Sequence, residues 1–175
     1  MKLHLGCNDR ALEGWTNLDI INGPGVDLVS SAHELPELLD GSVDEILAEH
    51  LLEHLTFYEA QRALAEWYRI LKPGGKLTIE VPNLVGLCRA FIEASEYERF
   101  QSNKGSWSIA HHIYGNQTGR SSEEQLSQVH KSGYSPLRLE EMLIGVGFTD
   151  VFDDIPVKDT PGSSVMRCIA IKRNP

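Results

Sequence analysis

The stretch from Thr56 to Val81 constrains the fold more tightly than any other part of the chain. Thr56-Phe57-Tyr58-Glu59 fits a capping box, in which the Thr and Glu side chains each satisfy an orphan backbone amide at a helix start. Behind it Ala60, Leu64, Trp67, Tyr68 and Leu71 recur at helical period and form one apolar stripe. Lys72-Pro73-Gly74-Gly75 stops that helix and turns the chain. Lys76–Val81 then alternates as a strand, closed by Pro82. An amphipathic helix that feeds straight into a strand is half of a βαβ unit, so the chain is expected to build an α/β fold around a largely parallel sheet.

The flanking sequence repeats that theme. Short strands are predicted at Lys2–Leu5, Thr16–Ile21, Val26–Val29 and Val43–Ala48, and late ones at Phe148–Val151 and Val165–Lys172. With Lys76–Val81 these make seven. Leu84 to Phe100 reads as one helix. Ser135-Pro136 opens another as N-cap and first turn, which Gly147 ends. Residues 101–134 are polar and aperiodic, and so long an irregular stretch inside a compact domain points to a functional cap. At 175 residues, the chain is expected to be a single domain (1–175) with residues 84–134 as the cap over the site.

Composition removes several function classes. Sixteen Lys and Arg against twenty-five Asp and Glu give a net charge of −9, which disfavours nucleic acid or an anionic membrane as the main partner. Cys7, Cys88 and Cys168 are odd in number and far apart, so neither a disulfide framework nor a cysteine metal site is expected. No signal-peptide pattern and no span-length apolar run is visible, and the expected location is cytoplasmic.

In open α/β sheets, ligands bind beyond the carboxyl ends of the strands. Three places answer to that rule. Gly6-Cys7-Asn8 follows the first strand, where glycine lets backbone approach a ligand and Asn tolerates positive φ. Asp19 ends the second, thirteen residues after Gly6, where a carboxylate can accept from both ribose hydroxyls. Residues 48–54 follow the fourth. Within them His50-Leu51-Leu52-Glu53-His54 matches the H-x-x-E-H pattern of one group of zinc peptidases, and a helix would put both histidines on one face.

The pieces together resemble a class I S-adenosylmethionine-dependent methyltransferase of the compact methyltransferase type 11 kind. LHLGC (3–7), GWTNLD (14–19), HELP (33–36), GSVDEI (41–46), LLEHL (51–55), LKPGGKLTIEVPN (71–83), HKSGYS (130–135) and GVGFTDV (145–151) carry the likeness, in family order over nearly the whole chain. It implies a three-layer Rossmann-like fold with strand order 3-2-1-4-5-7-6 and the last strand antiparallel. It implies S-adenosylmethionine as cofactor and S-adenosylhomocysteine as product. By position, the resemblance implies that Gly6, Cys7 and Asn8 would touch the methionine part through backbone, Asp19 the ribose, Ser31 and Ala32 the adenine, and Glu49 and His50 the region of the transferable methyl. The family loop commonly reads acid-x-Gly-x-Gly-x-Gly; His4, Gly6, Asn8 and Arg10 stand at those places here. The first βα helix is accordingly expected to be shortened or missing, with Trp15 filling its space.

Methyl transfer from a sulfonium needs no metal, and none is expected. It needs in-line approach and, for a hydroxyl acceptor, a base. His54, His50 and His111 are the candidates, with His112, Tyr114 and His130 as rivals, and Trp107 is a candidate wall of an acceptor pocket. The expected activity is methylation of a small molecule. The alternatives are a methyltransferase-like binding module without catalysis, a zinc hydrolase built on His50 and His54, and a dinucleotide oxidoreductase, which the absent glycine fingerprint disfavours.

Overall fold

A computed structural model describes residues 1–100, 108–116, 126–153 and 165–174. Seven strands form one sheet: β1 (Lys2–Leu5), β2 (Thr16–Asp19), β3 (Leu28–Val29), β4 (Val43–Glu49), β5 (Leu71–Pro82), β6 (Phe148–Asp153) and β7 (Val165–Lys172). Their order is β3-β2-β1-β4-β5-β7-β6. Neighbours from β3 to β5 pair in parallel, and β7 runs antiparallel to both β5 and β6. The expected order and the single reversed strand are both present.

The helix after β4, α1 (Phe57–Ile70), is capped as its sequence dictates: the Thr56 hydroxyl accepts from the Glu59 amide, and the Glu59 carboxylate accepts from the Thr56 amide at 2.8 Å. Its stripe of Ala60, Ala63, Leu64, Trp67 and Ile70 is buried against the sheet residues Leu3, Ile46, Leu77 and Ile79. The helix also grips the long β3–β4 connection. Trp67 Nε1 donates to the Ala32 carbonyl at 2.8 Å, and Arg69 reaches the carbonyls of Leu35 and Leu38.

Two boundaries differ from expectation for identifiable reasons. β5 begins at Leu71 rather than Lys76: Leu71 pairs with Val43, and from Glu45 onward the partner is Lys76. Lys72–Gly75 therefore bulge out of a continuing strand, with Gly74 in the left-handed region at φ 77°. The helix expected over 84–100 is two helices, α2 (Leu84–Glu93) and α3 (Glu96–Phe100). Ser95 restarts it with its own capping box, its amide and hydroxyl both donating to Glu98. Inside the stretch read as irregular lies α4 (Ile109–Tyr114), capped by Ser108. Trp107 lies outside the described residues. The last helix, α5 (Pro136–Val146), runs from its Ser135 cap to Gly147 and packs on α1 and β6.

No helix connects β1 to β2, β2 to β3 or β3 to β4; α1 is the first α-helix of the chain. Trp15, within the β1–β2 connection, is half-buried, with the Lys2 ammonium 5.1 Å above its ring. The loop is organised by Asn17, a β2 side chain only 5% exposed. Its Oδ1 accepts from the Leu12 amide at 2.8 Å, and its Nδ2 donates to the carbonyls of Leu12 and Trp15. Asn17→Ala strands these buried backbone groups. It is expected to cost about 2–3 kcal/mol and to lower the melting temperature by about 5–10 °C in calorimetry.

Candidate functional site

The carboxyl ends of β1, β2, β3 and β4 open on one cavity of about 660 Å³, inside the range of pockets that enclose small ligands. Each of the first four strands contributes a wall.

β1 ends in Gly6, in the left-handed region at φ 67°. The conformation calls for glycine, and a Cβ there would press on the Leu51 side chain, 3.0 Å from its Cδ1. Asn8 follows at φ 46°, holding a conformation that a glycine would otherwise supply. Its amide donates to Asp19 Oδ2 at 2.8 Å, while the Ile21 amide donates to Asp19 Oδ1 at 2.9 Å. Asp19 thus ties the β1 loop to the end of β2 with one hydrogen bond per oxygen. Each oxygen keeps a further acceptor position, and the side chain lies on the cavity wall. Ser31 and Ala32 line it after β3. Gly6, Asn8, Asp19, Ser31, Ala32, Glu49 and His50 all meet there.

The Cys7 side chain is not on the wall: it is 1% exposed, turned into the core beneath the loop, and burial together with the Asp19 charge pushes its thiol up, which leaves only its backbone toward the cavity side. His111 is likewise off the wall: Ser108 Oγ lies 2.7 Å from its Nδ1, and its neighbour His112 faces the cavity. Successive helical residues point about 100° apart, so the two cannot share that face.

β4 ends in a charged ladder. Glu49, Glu80 and Arg167 stand side by side on β4, β5 and β7. Arg167 holds Glu80 at 2.6 Å and Glu49 at 3.4 Å. His50, at φ 50°, leaves the strand and places Nδ1 3.2 Å from Glu53 Oε1 and Nε2 3.3 Å from Glu80 Oε1. Hydrogen bonds to Glu53 first and Glu80 second hold its pKa up, from an ordinary 6.5 to about 9. At neutral pH His50 is an imidazolium with both N–H groups occupied, which removes it as a general base. The helix-face premise of the H-x-x-E-H pattern also fails, since His50 precedes the 3₁₀ turn Leu52–His54 instead of sharing a helix with His54.

This charge carries a pH signature. Because the folded pKa lies above the unfolded one, the stabilisation is complete below about pH 6.5 and is lost as pH rises through about 9. In metal-free protein, denaturant-derived stability is expected to fall across that window, and His50→Gln to flatten the fall.

The far wall is the segment 126–134, docked on the 3₁₀ turn. The amides of Lys131 and Ser132 donate to the Glu53 carbonyl at 2.8 and 3.1 Å. The buried Tyr134 hydroxyl donates to Leu52 O. His54 Nδ1 lies 3.2 Å from the Val129 carbonyl, which only accepts, so Nδ1 donates there and Nε2 is the ring nitrogen left to other partners. The His54 and His130 rings meet edge to face, 4.9 Å apart. Burial lowers the pKa of both His112 and His130, so each is a neutral imidazole at pH 7. Sequence reasoning missed Glu53, which is 1% exposed; only its place inside LLEHL hinted at it.

Residues 14–79 match a family model described as a methyltransferase domain. No curated protein matches the chain significantly. Among solved structures, an S-adenosylmethionine-dependent methyltransferase from Archaeoglobus fulgidus is similar at 19% identity and TM-score 0.62, covering 98% of this chain and 85% of its own. One from Methanosarcina mazei gives 17% and 0.62, with 99% and 92% covered. The 1,6-didemethyltoxoflavin-N1-methyltransferase of Burkholderia thailandensis, solved with S-adenosylhomocysteine, gives 16% and 0.60, with 99% and 71% covered. At such identities these likenesses speak for the fold alone: the chain shares the fold of S-adenosylmethionine-dependent methyltransferases, and its residues 14–79 resemble a methyltransferase domain.

Proposed function

We propose that this chain binds S-adenosylmethionine in the cavity at the ends of β1–β4 and transfers its methyl group to a small-molecule acceptor. The observation that carries the reading is the convergence of Gly6, Asp19, Ala32 and Glu49, from four separate strand ends, on one cavity of about 660 Å³. The residues fit the cofactor's chemistry. Gly6 leaves the backbone open to the methionine part, Asp19 has acceptor positions for two ribose hydroxyls, and Ser31 and Ala32 offer an edge for the adenine. A bound cofactor would supply an electrophilic methyl on a positive sulfur, and Glu49 and His50 would be the residues to hold that end of the cavity.

The chain's own contribution is placement. His50, locked between Glu53 and Glu80, is a fixed positive wall, and the 126–134 segment closes the acceptor side. For a hydroxyl acceptor, the neutral, cavity-facing His112 is the proton acceptor. No helix among the described residues is long and apolar enough to cross a membrane.

A second reading, a domain that keeps the fold and the cofactor but not catalysis, draws on Asn8 and Arg10 at glycine positions and on the helix-less β1–β2 connection. One assay separates the two: release of S-adenosylhomocysteine from S-adenosylmethionine against a panel of phenols, carboxylic acids, amines and sugars. Acceptor-dependent release that falls at least roughly 10-fold in His112→Ala supports the first reading, in line with the 10²–10⁴-fold typical of acid–base catalysis. Cofactor binding without release from any acceptor supports the second.

A further inference from the structure

We propose that Glu53, His54 and His130 form a binding site for a divalent transition-metal ion on the acceptor side of the cavity. Their donor atoms lie within 4.8 Å of one another, a spacing that side-chain rotation closes onto one ion at about 2.0–2.2 Å. The independent observation is Glu53 Oε2. It is buried, on a residue 1% exposed, and has no hydrogen-bond partner among the described residues. A carboxyl oxygen withdrawn from water without a partner is unfavourable, and a cation bound there gives it one.

The surroundings of all three residues are those of metal ligands. A ligating imidazole donates its second N–H to a carbonyl, which fixes its tautomer and aims the other nitrogen at the ion. His54 does this through Nδ1 to the Val129 carbonyl, and the Ile113 carbonyl hydrogen-bonds the His130 ring. The third ligand is oriented in the same way, since His50 holds Glu53 Oε1 and leaves Oε2 as the donor. The backbone brings the three together: the Lys131 and Ser132 amides on the Glu53 carbonyl seat His130 against the 3₁₀ turn.

Two imidazoles and one carboxylate suit zinc, iron, cobalt or manganese, and not calcium or magnesium, which prefer oxygen donors. All three residues line the cavity, so the remaining coordination positions face it. They are open to an oxygen or nitrogen of a chelating acceptor such as a phenol or hydroxy acid. That use of the ion rests on the methyl-transfer reading; the binding of the ion does not.

The test titrates chelator-treated full-length protein with Zn²⁺ by calorimetry and with Co²⁺ by visible absorption. The expected result is one Zn²⁺ per chain and d–d bands without thiolate charge transfer. Glu53→Gln and His130→Ala are each expected to weaken zinc by more than roughly 100-fold, beyond what loss of an outer-shell partner costs. Circular dichroism checks that each variant folds. Should either misfold, imidazole NMR of the wild type decides, because His54 and His130 must shift on zinc addition. Absence of stoichiometric zinc, undiminished binding in the folded variants, unshifted histidines or a thiolate band would each overturn the site. S-Adenosylhomocysteine is titrated into the same metal-free protein, so a failure of the cofactor reading registers separately from a failure of the metal site.

Discussion

Asp19→Ala is expected to weaken S-adenosylhomocysteine binding by roughly 100-fold or more. The carboxylate has one acceptor position per oxygen left after taking the amides of Asn8 and Ile21. Two charge-assisted bonds to ribose hydroxyls, at about 1.5–3 kcal/mol each, account for a loss of that order. The variant should remain folded, because Asn8 and Ile21 are exposed and water can take over their amides. Asp19→Asn keeps an acceptor oxygen but loses the charge, so it is expected to fall between wild type and Asp19→Ala. Calorimetric titration of the three proteins checks the series, and equal affinities would remove Asp19 from the site.

The largest effect on stability is expected at Trp67. It is fully buried, and its indole nitrogen is bound to the Ala32 carbonyl. Trp67→Ala removes the centre of the α1 stripe and is expected to cost about 3–5 kcal/mol. For a chain of this length that corresponds to a melting temperature lower by about 10 °C or more. Trp67→Phe keeps most of the apolar contact but strands the carbonyl, and should cost about 1–2 kcal/mol. Because Ala32 is also cavity wall, Trp67→Phe is expected to reduce cofactor affinity even where the protein stays folded. Scanning calorimetry with and without S-adenosylhomocysteine separates the two effects.

Much of the local chemistry is legible in the sequence. The Thr56 capping box, the Ser135-Pro136 start and the alternation of Lys76–Val81 need only near neighbours, and each stands where it was read. The sheet order came through family resemblance, because strand neighbours cannot be deduced from strand patterns. The Ser95–Glu98 box that splits α2 from α3 is equally local, and the reading of one helix from Leu84 to Phe100 passes over it.

The candidate site was half legible for the same reason. Gly6, Asn8 and Asp19 announce themselves by residue type at strand ends. Glu53 does not, because its burial depends on Lys131 and Ser132, almost eighty residues away, closing over the 3₁₀ turn. The charge on His50 was hidden too. It requires Glu80, which only the β4–β5 register places opposite Glu49. The H-x-x-E-H pattern therefore misnamed the partners of its histidines: His50 belongs to two carboxylates, and His54 faces His130.

The central claim is that the cavity at the ends of β1–β4 is a cofactor site, and calorimetric titration of the wild-type chain with S-adenosylhomocysteine tests it most directly. The account predicts saturable binding at one molecule per chain, weakened in Asp19→Ala. No heat of binding for either S-adenosylhomocysteine or S-adenosylmethionine at millimolar concentration would contradict it.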